Sequence, residues 1–171
     1  MKTLIVSFLF TLAFCVSGIA QQCKEYSPAN SAFAFCPPAG WVQKTDPKEK
    51  SVSFESPADP AKVGAVLVVD HDTVPVARDP LAYQLIQGEL KADGYSNTRL
   101  IVARDIDSTS GVKGTLLVFF LEMKEVPFVQ AFYIFEGPGN TKLTFTLTGP
   151  QGDREIGRIV ETAMKTVRLK K

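Results

Sequence analysis

The chain has 171 residues, 45% of them hydrophobic, with 19 basic side chains against 18 acidic ones. This composition excludes a disordered polyelectrolyte, and the neutral charge balance excludes a long-range attraction to nucleic acid or to an anionic membrane. The length predicts one domain with a substantial core, and the single histidine weighs against enzymes that bind metal through several histidines.

Residues 1–20 have the three parts of a secretion signal. Lys2 supplies the charged start, residues 3–16 are almost wholly apolar, and the small residues Gly18 and Ala20 stand third from last and last. We expect cleavage after Ala20, which leaves one domain over residues 21–171 in a secreted or periplasmic protein. The alternative is an uncleaved membrane anchor, although the apolar run is shorter than the roughly 20 residues that cross a bilayer.

Two of the three cysteines, Cys23 and Cys36, follow the signal. A pair of cysteines in an oxidising compartment predicts a disulfide, which would hold the new N-terminal segment against the first strand. The alternative is a reactive thiol, but neither a histidine nor a helix N-terminus lies near these cysteines in sequence to activate one.

The first half of the domain predicts short strands and turns. Residues 31–36 alternate small and aromatic side chains, and the prolines and glycine of residues 37–40 predict a turn before a second strand at Trp41. Residues 51–56 alternate with a period of two, and residues 63–69 are apolar on both faces, as in a central strand.

A helix is predicted from Asp79, its N-cap, through Pro80 in the first turn to Gly94. Its apolar face would consist of aliphatic side chains at helical spacing, namely Leu81, Leu85, Ile86 and Leu90. Strands are predicted next over residues 98–106, 112–123, 128–135 and 142–148, and the short turns between them favour antiparallel pairing. In the last of these strands Leu143, Phe145 and Leu147 would face the core and the threonines would face outward.

A second helix is predicted over residues 153–168 by an apolar stripe at spacings of three and four. Helices packed on an antiparallel sheet of about six to seven strands make an α+β fold, an αβα sandwich.

The D-x-D-x-T arrangement of residues 105–109 resembles the motif of aspartyl-phosphate phosphatases, in which Asp105 would be the nucleophile and Asp107 the acid/base. Such enzymes need a parallel sheet and a later acidic pair for magnesium, whereas an antiparallel hairpin follows here. A polar hairpin tip is therefore favoured, with Asp and Ser side chains bonding their own backbone, and the phosphatase is a remote alternative.

Asp70, His71 and Asp72 end the buried strand and form the candidate metal site. An imidazole flanked by carboxylates supplies suitable ligands. Along a strand, however, His71 points away from its two neighbours, so a solvated strand end is favoured. No catalytic residue or cofactor is predicted.

Six aromatic residues of two neighbouring strands predict a stripe of rings: Phe119, Phe120, Phe128, Phe132, Tyr133 and Phe135. Cross-strand packing beneath the helices is favoured over a groove for a hydrophobic ligand or peptide. Trp41 is predicted to be an anchor in the core.

Residues 35–41 (FCPPAGW) resemble the strand and P-x-G-W opening of PsbP-like and DcrB-like proteins. The same order of features follows: VSFESP at residues 52–57, a valine-rich strand, the helix at Asp79 and Pro80, a meander, and a last helix before residues 166–169. The resemblance covers residues 31–169 and implies an antiparallel sheet between helices. The family includes PsbP, which helps to retain calcium and chloride at photosystem II, bacterial envelope proteins, and a nuclear protein that binds the GTPase Ran; it implies binding rather than catalysis.

We therefore expect an exported, non-enzymatic binding or accessory protein of the bacterial envelope, a monomer that needs no cofactor. Its partner would be a protein and not nucleic acid, and no membrane span would remain after signal cleavage. The alternative is a small-ligand or metal-binding protein that uses an aromatic pocket or the strand end at Asp70, His71 and Asp72.

Overall fold

The computed structural model describes residues 23–28, 31–45, 51–59, 64–70 and 80–171; the predicted signal segment lies outside them. The described strands are β1 (Phe33–Ala34), β2 (Val42–Thr45), β3 (Val52–Glu55), β4 (Val66–Asp70), β5 (Ser96–Asp107), β6 (Lys113–Met123), β7 (Val126–Glu136), β8 (Lys142–Pro150) and β9 (Arg168–Leu169). The described helices are α1 (Pro80–Ala92) and α2 (Arg154–Met164).

Seven of the strands form one antiparallel sheet in the order β2-β3-β4-β8-β7-β6-β5. Tight turns join β5 through β8, and the turn between β6 and β7 uses Lys124 and Glu125 with positive φ angles of 49° and 66°. The two remaining strands pair antiparallel with each other, so that Phe33 lies opposite Leu169. The predicted α+β sandwich with an antiparallel sheet is confirmed.

Each face of the sheet carries one helix and its own core. On one face α2 and the β1–β9 pair cover a large cluster that includes Phe35, Phe54 and Phe145. On the other face Ile86 and Leu90 of α1 pack on a smaller cluster from the central strands. The alternation of side chains along a strand separates these two clusters.

The second helix is shorter than predicted. Asp153 caps its N-terminus by accepting hydrogen bonds from the backbone N–H groups of Glu155 and Ile156. The helix ends at Met164, and Arg168 belongs to β9 because it pairs with Ala34 near the start of the domain. The predicted extension of the helix to Arg168 is therefore wrong.

The first helix turns one predicted core residue to solvent. Ile86 and Leu90 are 5% and 4% exposed, as predicted, whereas Leu85 is 69% exposed. Helical spacing brings Leu85 close to the apolar face, but the helix covers only part of the sheet and leaves that side chain outside. Within the described ranges, neither helix is long and apolar enough to cross a membrane.

Candidate functional site

The turn that follows β1 is held in place at both ends. Cys36 is joined to Cys23 by a disulfide with a Cα–Cα distance of 5.7 Å, and the Cys36 N–H donates to the Thr166 hydroxyl oxygen at 2.8 Å. The turn closes where the Trp41 N–H donates to the carbonyl of Pro38. Gly40 has a φ of +79°, a conformation that glycine adopts without a steric penalty. The backbone of residues 36–41 is therefore fixed before any partner arrives.

Two hollows flank this turn, and together they are called the proline groove. The first, about 420 Å³, lies between Pro37, Pro38 and Ala39 on one side and α2 on the other. Its wall on α2 consists mainly of Arg158, Ile159 and Thr162. Ala39 lines both hollows and is exposed to solvent.

The second hollow, about 390 Å³, lies on the other side of the same turn. Trp41, Gln43 and Phe54 line it together with Lys24. Trp41 packs against the core with one part of its ring system and remains partly exposed. The indole thus acts both as the predicted core anchor and as a wall of the groove.

The charge of the proline groove is positive. Arg158 lines the first hollow and Lys24 the second, and no acidic side chain occurs among the described lining residues. The remaining wall of the first hollow is largely apolar, whereas the second hollow combines apolar side chains with polar groups such as Gln43. Such a surface suits an apolar side chain that is followed or preceded by a carboxylate.

The predicted metal site is only partly within the described residues. Asp70 ends β4, whereas His71 and Asp72 lie outside the described ranges. Among the residues that the structure describes, no three His, Cys, Asp or Glu side chains are grouped to hold a metal ion. A metal site at Asp70, His71 and Asp72 stays a prediction.

A further cavity, called the α1 cavity, lies between α1 and strands β4, β7 and β8, with a volume of about 230 Å³. Asp70, Glu89 and Asp93 supply carboxylates, and Gln130 and Thr144 lie on the strands beneath. Thr144 was expected to face outward to solvent, and that expectation is wrong, since the side chain is only 5% exposed. The Thr144 side chain does lie on the face of the sheet opposite Phe145, as alternation predicts. That face is also buried, because α1 covers it.

The D-x-D-x-T segment forms the predicted polar hairpin tip. Asp105 and Asp107 end an edge strand of the antiparallel sheet, and the Asp107 carboxylate pairs with Lys113 at 2.8 Å. The Ser108 hydroxyl accepts from the Val112 N–H at 2.9 Å. The side chains of Asp107 and Ser108 thus serve the turn itself.

The aromatic stripe is divided between the two faces of the sheet. Phe119 and Phe132 meet edge to face on the α1 side, with ring centroids 5.9 Å apart. Tyr133 and Phe135 belong to the core beneath α2. The rings pack within the two cores, which is the favoured interpretation. They do not form a continuous aromatic groove.

Tyr133 is buried beside an ion pair that links β5 to α2. Arg104 and Glu161 form that pair at 2.8 Å. Burial, and then the Glu161 carboxylate, raise the pKa of Tyr133 from 10.0 to about 12, against an opposing effect of Arg104. Between pH 10 and about pH 12, the Tyr133 phenol loses its proton in the unfolded chain but keeps it in the folded protein.

The stability contributed by the Tyr133 phenol is therefore complete below pH 10 and lost as the pH rises toward 12. The loss should amount to about 2–3 kcal/mol of unfolding free energy. We expect urea unfolding at increasing pH to show this decline in the wild-type protein and a shallower one in Tyr133→Phe. Identical pH profiles for the two proteins would contradict the assignment.

Comparison with known proteins identifies the fold. No family model and no curated protein matches the chain. A protein of unknown function from Pseudomonas aeruginosa, PA94, is similar over 86% of this chain and 96% of its own, with 18% identity and a TM-score of 0.55. Cyanobacterial PsbP (CyanoP) from Synechocystis is similar over 86% and 92%, with 14% identity and a TM-score of 0.58. The Ran-binding protein Mog1p from Saccharomyces cerevisiae is similar over 85% and 94%, with 10% identity and a TM-score of 0.60. These similarities confirm the resemblance to PsbP at the level of architecture: the chain has the fold shared by PsbP and Mog1p.

Proposed function

We propose that the protein is an exported, non-enzymatic accessory protein of the bacterial envelope that binds a protein partner through the proline groove. The observation that carries the proposal is the groove itself, two hollows on either side of a turn that the disulfide holds in place. A surface that is rigid before binding loses little conformational entropy when a partner docks. Mog1p, a Ran-binding protein of the same fold, supports a protein as the partner.

The lining of the groove specifies the chemistry of the partner. A protruding aliphatic or aromatic side chain would fill the hollow beside Ile159 or the one beside Trp41. A neighbouring carboxylate would pair with Arg158 or Lys24, both of which are exposed. The partner segment is thus apolar and acidic, not basic.

Export is supported by residues 1–20 and by the disulfide, since disulfides persist in oxidising compartments and are rare in the cytosol. We expect mass spectrometry of the protein recovered from a periplasmic fraction to show Gln21 as the first residue. Recovery of the chain in the cytosolic fraction with residues 1–20 attached would contradict export.

The partner proposal is tested by substitution at Ala39, which is exposed and borders both hollows. Ala39→Glu places bulk and a negative charge in the groove and should abolish retention of a partner from an envelope extract. Leu85→Glu changes another exposed apolar residue, on α1, and serves as the control, because it should retain the partner. Both variants are first checked for wild-type thermal unfolding.

A photo-crosslinking residue at position 39 should join the partner covalently, and proteolysis should map the joined segment to an apolar stretch with Asp or Glu. Equal retention by wild type, Ala39→Glu and Leu85→Glu would overturn the groove as the binding surface.

A further inference from the structure

Two hydrogen-bonding atoms inside the α1 cavity have no partner among the described residues. They are the hydroxyl oxygen of Thr144 and the side-chain carbonyl oxygen of Gln130. Thr144 is more than nine-tenths buried, and both residues line the cavity. A buried polar atom without a partner is unfavourable by about 1–3 kcal/mol, so these atoms point to a ligand that donates hydrogen bonds.

Register places the Thr144 hydroxyl close to a carboxylate, whereas Gln130 lies four residues away along the sheet, opposite Thr148. Asp70 on β4 lies directly opposite Thr144 on β8, and Thr144 lies opposite Ile134 on β7. Side chains at such positions share a face of the sheet with Cβ atoms about 5 Å apart. The floor of the cavity therefore presents an acid, a hydroxyl and an aliphatic side chain in one row.

The helix adds two more carboxylates to the same space. Glu89 lies on α1 and Asp93 directly follows the helix, where its N–H donates to the Glu89 carbonyl at 2.9 Å, and both residues line the cavity. No Lys or Arg occurs among the described lining residues. A cleft of one sign of charge between low-dielectric walls concentrates ions of the opposite sign. The ligand that fits is a cation.

The character of the walls decides which kind of cation. Aliphatic and aromatic side chains make up much of the lining, namely Ile86, Leu90, Phe132 and Ile134. Calcium requires six to eight oxygen ligands around one point, whereas no three acidic groups of the described residues converge in that way. An ammonium group on a short hydrocarbon chain satisfies both the Thr144 hydroxyl oxygen and the apolar walls.

We propose that the α1 cavity is a binding site for a small aliphatic amine in its protonated form. The ammonium group donates a hydrogen bond to the hydroxyl oxygen of Thr144, and the hydrocarbon chain lies along Ile86 and Phe132 toward Gln130. The carboxylates of Glu89 and Asp93 balance the charge. At about 230 Å³ the cavity is smaller than most drug-sized ligand pockets, so the amine is short. The cavity lies on the opposite face of the sheet from α2 and the proline groove, so neither proposal depends on the other.

The test measures binding of putrescine and butylamine to the disulfide-bonded protein by calorimetry and by amide chemical-shift mapping. Butanol, which has the shape of butylamine without its charge, is the ligand control. We expect both amines to bind, with shifts concentrated at Gln130 and Thr144, and butanol not to bind. Equal binding of butanol, displacement of the amines by equimolar calcium, or absence of any amine binding would overturn the proposal.

Variants separate the cavity from nonspecific attraction to surface acids. Thr144→Val keeps the shape of the side chain but removes the hydroxyl, and it should weaken amine binding by about tenfold or more while raising the thermal midpoint. The double variant Glu89→Gln/Asp93→Asn changes only exposed groups and should weaken binding by a similar factor. Glu125→Gln removes an exposed acid at the β6–β7 turn and should leave the affinity unchanged. Wild-type affinity in the first two variants, or an equal loss in Glu125→Gln, would refute the site.

Discussion

Replacing Phe145 with alanine is expected to lower the free energy of unfolding by about 3–5 kcal/mol. The side chain is fully buried in the core beneath α2. Its ring meets those of Phe35 at 4.7 Å and Phe135 at 6.0 Å, both edge to face. Alanine would remove these contacts and leave a cavity among rings that come from separate segments of the chain and cannot easily move together. Urea unfolding followed by circular dichroism measures the change.

Leu85→Ala is the matched control, because it also truncates a large apolar side chain but at a position that is 69% exposed. We expect it to change the unfolding free energy by less than about 0.5 kcal/mol. If Phe145→Ala fails to fold, Phe145→Leu should show a smaller loss of the same sign. A loss below about 1 kcal/mol for Phe145→Ala would mean that the core does not depend on this ring.

The hairpin region was predictable because its signals are local. The alternation of residues 142–148 and the glycines and proline of residues 137–140 specify strand and turn without reference to distant parts of the chain. Strand β8 extends over Lys142–Pro150, close to the predicted bounds. The β1–β9 pair was not predictable in the same way. It depends on contact between Ala34 and Arg168, which lie near opposite ends of the domain, and no periodicity in a two-residue strand reports that contact.

The division of the aromatic residues could have been recognised from the sequence. Phe119 and Phe120 are consecutive in a strand, so they must face opposite sides of the sheet, and Tyr133 follows Phe132 in the same way. The fate of Thr144 was harder to foresee. Alternation correctly assigned it to the face opposite Phe145, but burial of that face depends on where α1 packs.

The proline groove also lies beyond local sequence patterns. The predicted turn at residues 37–40 is present, and Cys23 and Cys36 are paired. The groove, however, arises from where Arg158, Ile159 and Thr162 approach the turn, more than a hundred residues later in the chain. Tertiary packing of α2 creates the site, and the sequence near the turn carries no sign of that packing.

Removing the disulfide is expected to reduce stability by about 3 kcal/mol, the chain-entropy value for a short loop. The bond joins residues 13 apart in sequence. Beyond it, the N-terminal segment is held by the pairing of Tyr26 with Phe35 and by the ion pair of Glu25 with Arg168 at 2.8 Å. Exposed ion pairs contribute little, so the covalent link should dominate. Urea unfolding of Cys23→Ala/Cys36→Ala measures the change.

Dithiothreitol provides the matched control: it should destabilise the wild-type protein to the level of the double variant and leave that variant unchanged. The mature protein, which starts at Gln21, should show no reactive thiol when it is unfolded without a reducing agent and titrated with a thiol reagent. The appearance of thiols in that titration, or equal stability with and without reductant, would contradict a stabilising disulfide.

The same variant distinguishes a stabilising role of the disulfide from a role in binding. Cys36 is also held by the hydrogen bond from its N–H to Thr166, so the turn should keep its general position after the disulfide is removed. It should nevertheless sample more conformations, because Cys23 no longer restrains the wall shared by the two hollows. If the rigid groove binds the partner, retention from an envelope extract should fall in the double variant under conditions where it remains folded. If the folded double variant retains the partner as well as the wild type does, the disulfide serves stability alone. Loss of binding in Ala39→Glu would then be due to the change in the groove surface and not to a loss of rigidity.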